Sequence, residues 1–356
     1  MPSLDLFPHQ TIRPSQDQML QDLDGAFSSK KTLLAHAPTG LGKTASALTI
    51  AVQHALQHKK RVFFLTNRHT QHNIAIETLR AMRAKAGQDI PCADLIGKRW
   101  MCNQEIAGVF GKDFGEFCKS IVQKGECEFY SRVHQKRALT VEAKLAVEEL
   151  RQQGPLHNEE LVVIGKEKKM CSYELALQLV KNAVVVIGDY NYVFNEHVRG
   201  SVLEKAGFEL EDVILIVDEG HNLPGRIVDM ASSALTTNML RNSLQEAKKY
   251  NFTYIIPHLQ ELNRVLQELG QFPGKEKEKL VSQEDFLKLV TTIVPYEQFV
   301  DELELAAEDV RERQHRSHLG GISAFLQAWQ QEGDGFVRYI SEERGFQGPT
   351  LSLHNS

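Results

Sequence analysis

Residues 37–44 read Ala37-Pro38-Thr39-Gly40-Leu41-Gly42-Lys43-Thr44, and this stretch decides the fold. A glycine-rich turn that opens a helix points several backbone N–H groups at one place, where the positive end of the helix favours an anion. Gly40 and Gly42 give the turn its freedom and Thr39 lies within it. Lys43 would reach the β- and γ-phosphates of a nucleotide, and the Thr44 hydroxyl would ligate Mg²⁺. Ala37 stands where such a loop usually begins with glycine. A plain glycine turn before a helix is the simpler reading, but the Gly-Lys-Thr ending and the flanks weigh against it. Upstream, Thr32–His36 is a short apolar run that reads as a strand. Downstream, Ala47, Ile50, Ala51 and Ala55 fall at helical spacing.

The same rhythm repeats outward. Arg13-Pro14-Ser15-Gln16 opens a helix carrying Met19, Leu20, Leu23 and Phe27 at spacings of three and four. Arg61–Thr66 reads as another buried strand, with a helix beginning near Gln71. The pattern resumes at Ala183–Ile187 and at Val213–Val217, both β-branched runs of parallel-strand character. This cadence predicts an α/β fold with a parallel sheet wrapped by helices. The last run ends in Asp218-Glu219. A strand that delivers two acids downstream of a phosphate loop places Asp218 at the Mg²⁺ and Glu219 beside the attacking water. Lys43, Asp218 and Glu219 are thus the expected catalytic set.

At 356 residues the chain is long enough for two or three cores. A hydrophobic share of 42% and a charged share of 24% suit a water-soluble globular protein. The formal net charge of −5 means that any nucleic-acid surface must be local. No apolar run is long enough to span a membrane, and Met1–Gln10 lacks a charged-then-apolar signal pattern. The expected compartment is the cytoplasm, or the nucleus in a eukaryote, with no membrane partner.

Residues 91–182 interrupt the α/β rhythm and hold all five cysteines. Cys92 sits in an apolar run and reads as a buried hydrophobe. Cys102, Cys118, Cys127 and Cys171 are 16, 9 and 44 residues apart, without the close pairs of a zinc finger. Four thiolates suit an iron–sulfur cluster or Zn²⁺ on chemistry alone, and four unrelated buried thiols are the ordinary alternative. Lys98, Arg99 and Trp100 combine charge with an aromatic face, as single-stranded DNA requires. Tyr190 and Asn191, at the end of a strand, are a second candidate contact. From about residue 225 the texture turns helical. Leu259, Leu262, Val265, Leu266 and Leu269 form one stripe, and Leu303, Leu305, Ala306 and Val310 share another helix. Phe336–Ser341 and Thr350–Leu353 read as strands returning to the main body.

These residues together resemble the XPD/DinG group of superfamily 2 iron–sulfur DNA helicases. Asp218-Glu219-Gly220-His221 is similar to the family's DEAH box, with Gly220 in place of Ala. Phe7-Pro8, Arg13 and Gln16 resemble its adenine-reading segment, and Thr66 and Arg68 sit where the family touches the single-strand backbone. The surroundings of Cys102, Cys127 and Cys171 resemble those of the family's first, third and fourth cluster ligands, the last with Ser172 in place of Pro. The resemblance implies a RecA-like motor domain formed by residues 1–90, 183–227 and 346–356. A [4Fe–4S] domain at 91–182 and a helical Arch domain at 228–345 are inserted into it. It further implies ATP, Mg²⁺, single-stranded DNA and DNA junctions as ligands, repair proteins as partners, and 5′-to-3′ unwinding in DNA repair. A second RecA-like domain, which in this family supplies an arginine to the transition state, has no counterpart in these residues. A non-motor DNA-binding or regulatory module is therefore the rival reading; a metabolic kinase lacks any second substrate site.

Overall fold

The computed structural model describes residues 4–38, 40–105, 114–136, 138–272, 277–331, 335–342 and 348–355. Thr39, expected in the phosphate loop, lies outside them. The chain divides into two compact units, Met1–Gly111 with Gly125–Leu223, and Lys112–Lys124 with Pro224–Ser356. No helix among the described residues is long and apolar enough to cross a membrane.

The first unit begins with α1 (Gln16–Ser28), α2 (Lys43–His58), β1 (Arg61–Leu65), α3 (His69–Ala86) and β2 (Cys92–Asp94). After α4 (Phe114–Gln123), which belongs to the second unit, come α5 (Glu128–Val133), the short strands β3 (His134–Gln135) and β4 (Ala138–Leu139), α6 (Val141–Gln153), α7 (Asn158–Glu167) and α8 (Ser172–Val180). β5 (Val185–Gly188), α9 (Asn191–Phe194), α10 (Glu196–Ala206) and β6 (Val213–Val217) complete it. Four strands form one parallel sheet in the order β2-β5-β1-β6. Central β1 pairs Phe63 with Val186 on one side and with Leu215 on the other. Both faces of a parallel sheet are covered, so β1 carries the unbroken apolar run Val62–Leu65. Val62, Phe64, Val185 and Ile187 share a core with Leu48 and Val52 of α2 and Ile76 and Leu79 of α3. Each such side chain contributes about 1.5–3 kcal/mol by burial.

Two expectations change in this unit. Thr32–His36 is not a strand: it pairs with none of the described strands, and Leu34 is 94% exposed. β6 is hydrogen-bonded along one side only, to β1. The apolar run thus has the composition of a strand but pairs with none of the described strands, although β6 leaves an edge open. Cys92–Asp94, assigned from sequence to the inserted stretch, is a strand of the parallel sheet, paired with Val185–Ile187.

The second unit holds α4 and then α11 (Leu223–Met230, beginning at the boundary), β7 (Ser233–Thr236), α12 (Thr237–Lys249), α13 (Ile256–Leu269), β8 (Glu278–Leu280), α14 (Gln283–Thr291), α15 (Tyr296–Gln314), α16 (His318–Trp329), β9 (Phe336–Ser341) and β10 (Thr350–Asn355). Its four-stranded sheet runs β7-β10-β9-β8, and each pairing in it is antiparallel. The expected stripe of Leu259, Leu262, Val265 and Leu266 is buried with Phe286, Phe299, Phe325 and Trp329. Leu303, Leu305, Ala306 and Val310 share α15 as expected; Leu303, Ala306 and Val310 enter the core, and Leu305 is 66% exposed. The closing strands differ from expectation. β9 and β10 belong to this second sheet, where Leu351 and Leu353 of β10 enter the helical core, and do not return to the parallel sheet.

Candidate nucleotide site and nucleic-acid face

The loop before α2 is built from glycine conformations. Gly40 and Gly42 adopt φ of +88° and +91°, the left-handed region where a Cβ is disfavoured. At Gly42 a Cβ would also stand 2.3 Å from Gln16 Nε2. Gln16 is 1% exposed; its Oε1 accepts the Arg13 N–H at 3.0 Å and its Nε2 donates to the Gly42 carbonyl at 3.3 Å. The Arg13 guanidinium donates to the Gly40 carbonyl. Arg13 and Gln16, singled out as readers of a base, thus also brace the loop through its carbonyls, which leaves the loop N–H groups to other acceptors. Lys43 Nζ donates to the Ala37 carbonyl at 2.9 Å, straddling the loop from its last turn to its first residue. Thr44, the next residue of α2, is half-buried.

Asp218 continues β6, its N–H donating to the Leu65 carbonyl at 2.8 Å. Its Oδ2 is buried without a hydrogen-bond partner. Burial, and then the neighbouring Glu219 carboxylate, push the Asp218 carboxyl above the usual aspartate range; Lys43 and Arg68 act in the opposite direction. Lys43 and Arg68 therefore both lie within electrostatic reach of Asp218. Glu219 takes a left-handed φ of +52°, which turns the chain sharply after the strand, and its Oε2 lies 3.5 Å from His221 Nδ1. Tyr190 holds this turn from inside: its hydroxyl donates to the Asp218 and Glu219 carbonyls at 2.5 and 3.1 Å.

The residues expected to face nucleic acid divide. Tyr190 is fully buried, so its ring supports the acidic turn and offers no stacking face. Asn191 is held by Asp189, whose Oδ1 accepts its backbone N–H at 2.9 Å. Thr66 is buried, its Oγ1 accepting the Arg68 N–H at 3.4 Å, whereas Arg68 itself is exposed. Lys98 is exposed, with Nζ 5.0 Å from the Tyr173 ring centre. Arg99 lies 4.6 Å from the ring centre of Trp100, which is 60% exposed. Sequence reading missed the bracing role of Tyr190 and the buried pair His72–Asp94, 22 residues apart, which no local spacing signals.

Cys102, Cys127 and Cys171 lie in the first unit and Cys118, on α4, in the second. Hydrogen bonds tie the first three segments together. The Cys171 N–H donates to the Phe129 carbonyl at 3.0 Å, and the Ser172 hydroxyl donates to Asn103 Oδ1 at 2.7 Å. Gln104 Nε2 is 3.7 Å from Cys127 Sγ. Among the described residues, however, no three His, Cys, Asp or Glu side chains are gathered as a metal-holding group. The thiols as placed do not fit a cluster. Cys92 is buried in the sheet, and burial pushes its thiol far up, out of the reactive range.

The DEAD_2 family model matches residues 64–240. A regulator of telomere elongation helicase 1 homolog from Anopheles gambiae is 24% identical, over 52% of this chain and 16% of its own length. The Saccharomyces cerevisiae general transcription and DNA repair factor IIH helicase subunit XPD/RAD3 is 24% identical, over 68% of this chain and 33% of its own length. The chain therefore spans a third or less of either relative. A solved XPD helicase structure superposes with a TM-score of 0.66 at 20% identity, covering 98% of this chain and 55% of that one, a likeness of fold. The chain belongs to the XPD-like, DEAD_2 family, of which it carries the N-terminal portion.

Proposed function

We propose that this chain is the ATP-binding portion of an ATP-dependent DNA helicase that moves along single-stranded DNA in the 5′-to-3′ direction and serves DNA repair. The observation that carries the reading is Asp218 Oδ2, a buried carboxylate oxygen without a partner, within electrostatic reach of Lys43. Buried polar atoms are rarely left unpaired, and a carboxylate raised by burial and by a like charge is relieved by a cation. Bound Mg²⁺ would supply charge neutralisation between this oxygen, the Thr44 hydroxyl and the phosphates. Lys43 would exchange the Ala37 carbonyl for phosphate oxygens, Gly40 and Gly42 would turn N–H groups toward them, and Thr39 lies in the same loop. Arg13 and Gln16 would meet the adenine. Glu219 would orient the attacking water. Arg68, Lys98, Arg99 and Trp100 are exposed or half-buried and suited to DNA; Thr66 and Asn191 would act through backbone geometry. An arginine from a second RecA-like domain would complete turnover, since such a group is worth about 10³–10⁵ in rate. The cysteines enter this reading through resemblance alone, and no step is routed through a cluster.

Lys43→Ala is expected to abolish the thermal stabilisation given by Mg-ATP. Glu219→Gln is expected to keep that stabilisation and to lose residual hydrolysis at least tenfold. Equal ligand-induced shifts in Lys43→Ala and the parent would overturn the site.

A further inference from the structure

α3 starts at His69, directly after the Thr66–Arg68 segment, and an aromatic line runs from buried His72 out to the surface. At the inner end, His72 Nδ1 lies 2.5 Å from Asp94 Oδ1, both side chains buried. Asp94 Oδ2 accepts the Asn158 N–H at 2.8 Å and its side-chain amide at 2.6 Å. The carboxylate thereby locks α3 to the end of β2 and the start of α7. One turn back, the His69 ring centre is 5.9 Å from that of His72. On its other side it meets Trp100 edge to face, at 6.2 Å and 84°. Arg99 lies against the indole at 4.6 Å, and the Trp100 N–H closes a turn onto the Gly97 carbonyl at 2.9 Å. Met101, the next residue, is fully buried and pins the turn.

A rigidly held tryptophan that is 60% exposed is the unusual feature here. Solvent contact over so large a ring is unfavourable unless a ligand covers it, and the anchoring removes the entropy loss of fixing it on binding. The cations beside it, Lys98 and Arg99, select a ligand with both a flat apolar surface and negative charge.

We infer that Trp100 and Arg99 form a stacking platform for one base of single-stranded nucleic acid. His69 is its positioning residue, and His72–Asp94–Asn158 is its buried anchor. The inference rests on the DNA reading above and adds to it a mode of contact, base stacking, and a residue, His69. Arg99 covers part of the indole, and the arriving base takes the exposed remainder while the cations meet the flanking phosphates.

The test compares a 20-nucleotide oligo-dT with an abasic oligonucleotide of the same length, by fluorescence anisotropy on the full chain. The parent is expected to bind oligo-dT about tenfold more tightly than the abasic strand, the span of one base–aromatic stack. Trp100→Ala should remove that preference, so that the two strands bind alike. His69→Ala should reduce it, and His69→Phe, which keeps a ring edge against the indole, should restore it. Intrinsic fluorescence adds a second readout, because the other tryptophan, Trp329, is fully buried: oligo-dT should quench the parent and the abasic strand should not. Equal affinity of the parent for both strands, or a preference that survives Trp100→Ala, overturns the platform while the DNA reading stands. No binding of either strand overturns the DNA reading, and the platform with it.

Discussion

Asp218 carries its charge in a place that opposes it. Burial and Glu219 raise its pKa in the folded protein above that of the unfolded chain. The folded state then holds this proton more tightly, so the group lowers stability as pH rises through the interval between the two values. Above the folded value the penalty is complete, and below the ordinary aspartate range it vanishes. At neutral pH and without ligand, Asp218→Asn is therefore expected to melt at a higher temperature than the parent, with the gap closing as pH falls. Saturating Mg-ATP should reverse the order, since it rescues only the carboxylate; at a hundredfold excess over Kd the parent gains about 2.7 kcal/mol. Thermal melts at two pH values, with and without Mg-ATP, give all four numbers. A parent more stable than Asp218→Asn in the absence of ligand would show that the unpartnered oxygen is not under strain. A tyrosine beside an asparagine at a strand end is as consistent with a surface contact as with a brace. Only the neighbourhood of the acidic turn separates the two.

At the scale of elements, legibility follows how locally each element is determined. β1, β5 and β6 were readable because parallel strands carry continuous β-branched and aromatic runs, and Val62–Leu65, Val185–Ile187 and Val213–Val217 have them. The glycine turn was readable because positive φ leaves few alternatives to Gly40 and Gly42. Thr32–His36 was not, because strand composition is only half of a strand; the other half is the ladder of hydrogen bonds, which this run makes with none of the described strands. β10 was misplaced for a related reason: Leu351 and Leu353 fit either sheet, and the antiparallel register with Ser233–Thr236 and Phe336–Ser341 decides between them. The cysteine segments sit between these cases. Hydrogen bonds bring those around Cys102, Cys127 and Cys171 into one neighbourhood, where Met101, Val133, Met170 and Leu175 are also buried, and thiolate ligation would add cross-links to it. Against this placement of the thiols, the resemblance expects iron and labile sulfide in anaerobically purified protein. Cys171→Ser should remove both, and Cys92→Ala should remove neither. One zinc per chain and no iron would overturn it.

At the scale of the whole molecule, the core of the parallel sheet and the core of the second unit share no described residue. One joins the parallel sheet to α2 and α3, and the other gathers the helices and antiparallel sheet of the second unit around Phe286, Phe325 and Trp329. A core that closes within one unit melts as one cooperative block, so two cores predict two transitions in calorimetry. Ligand and mutation should then address them separately. Mg-ATP binds the unit that holds Lys43 and Asp218, and it should raise only that transition. Phe286→Ala leaves a void beside Trp329, whose ring centre is 4.8 Å away, and beside Phe325 at 6.4 Å. Deleting a fully buried phenyl ring costs about 3–5 kcal/mol, so the second transition should fall by several degrees while the first, and its response to Mg-ATP, stay in place. Leu48→Ala in α2 should do the converse. If Phe286→Ala lowers both transitions together, or if one transition is seen throughout, the two units fold as a single cooperative body, and nucleotide binding is coupled to the helical unit through stability alone.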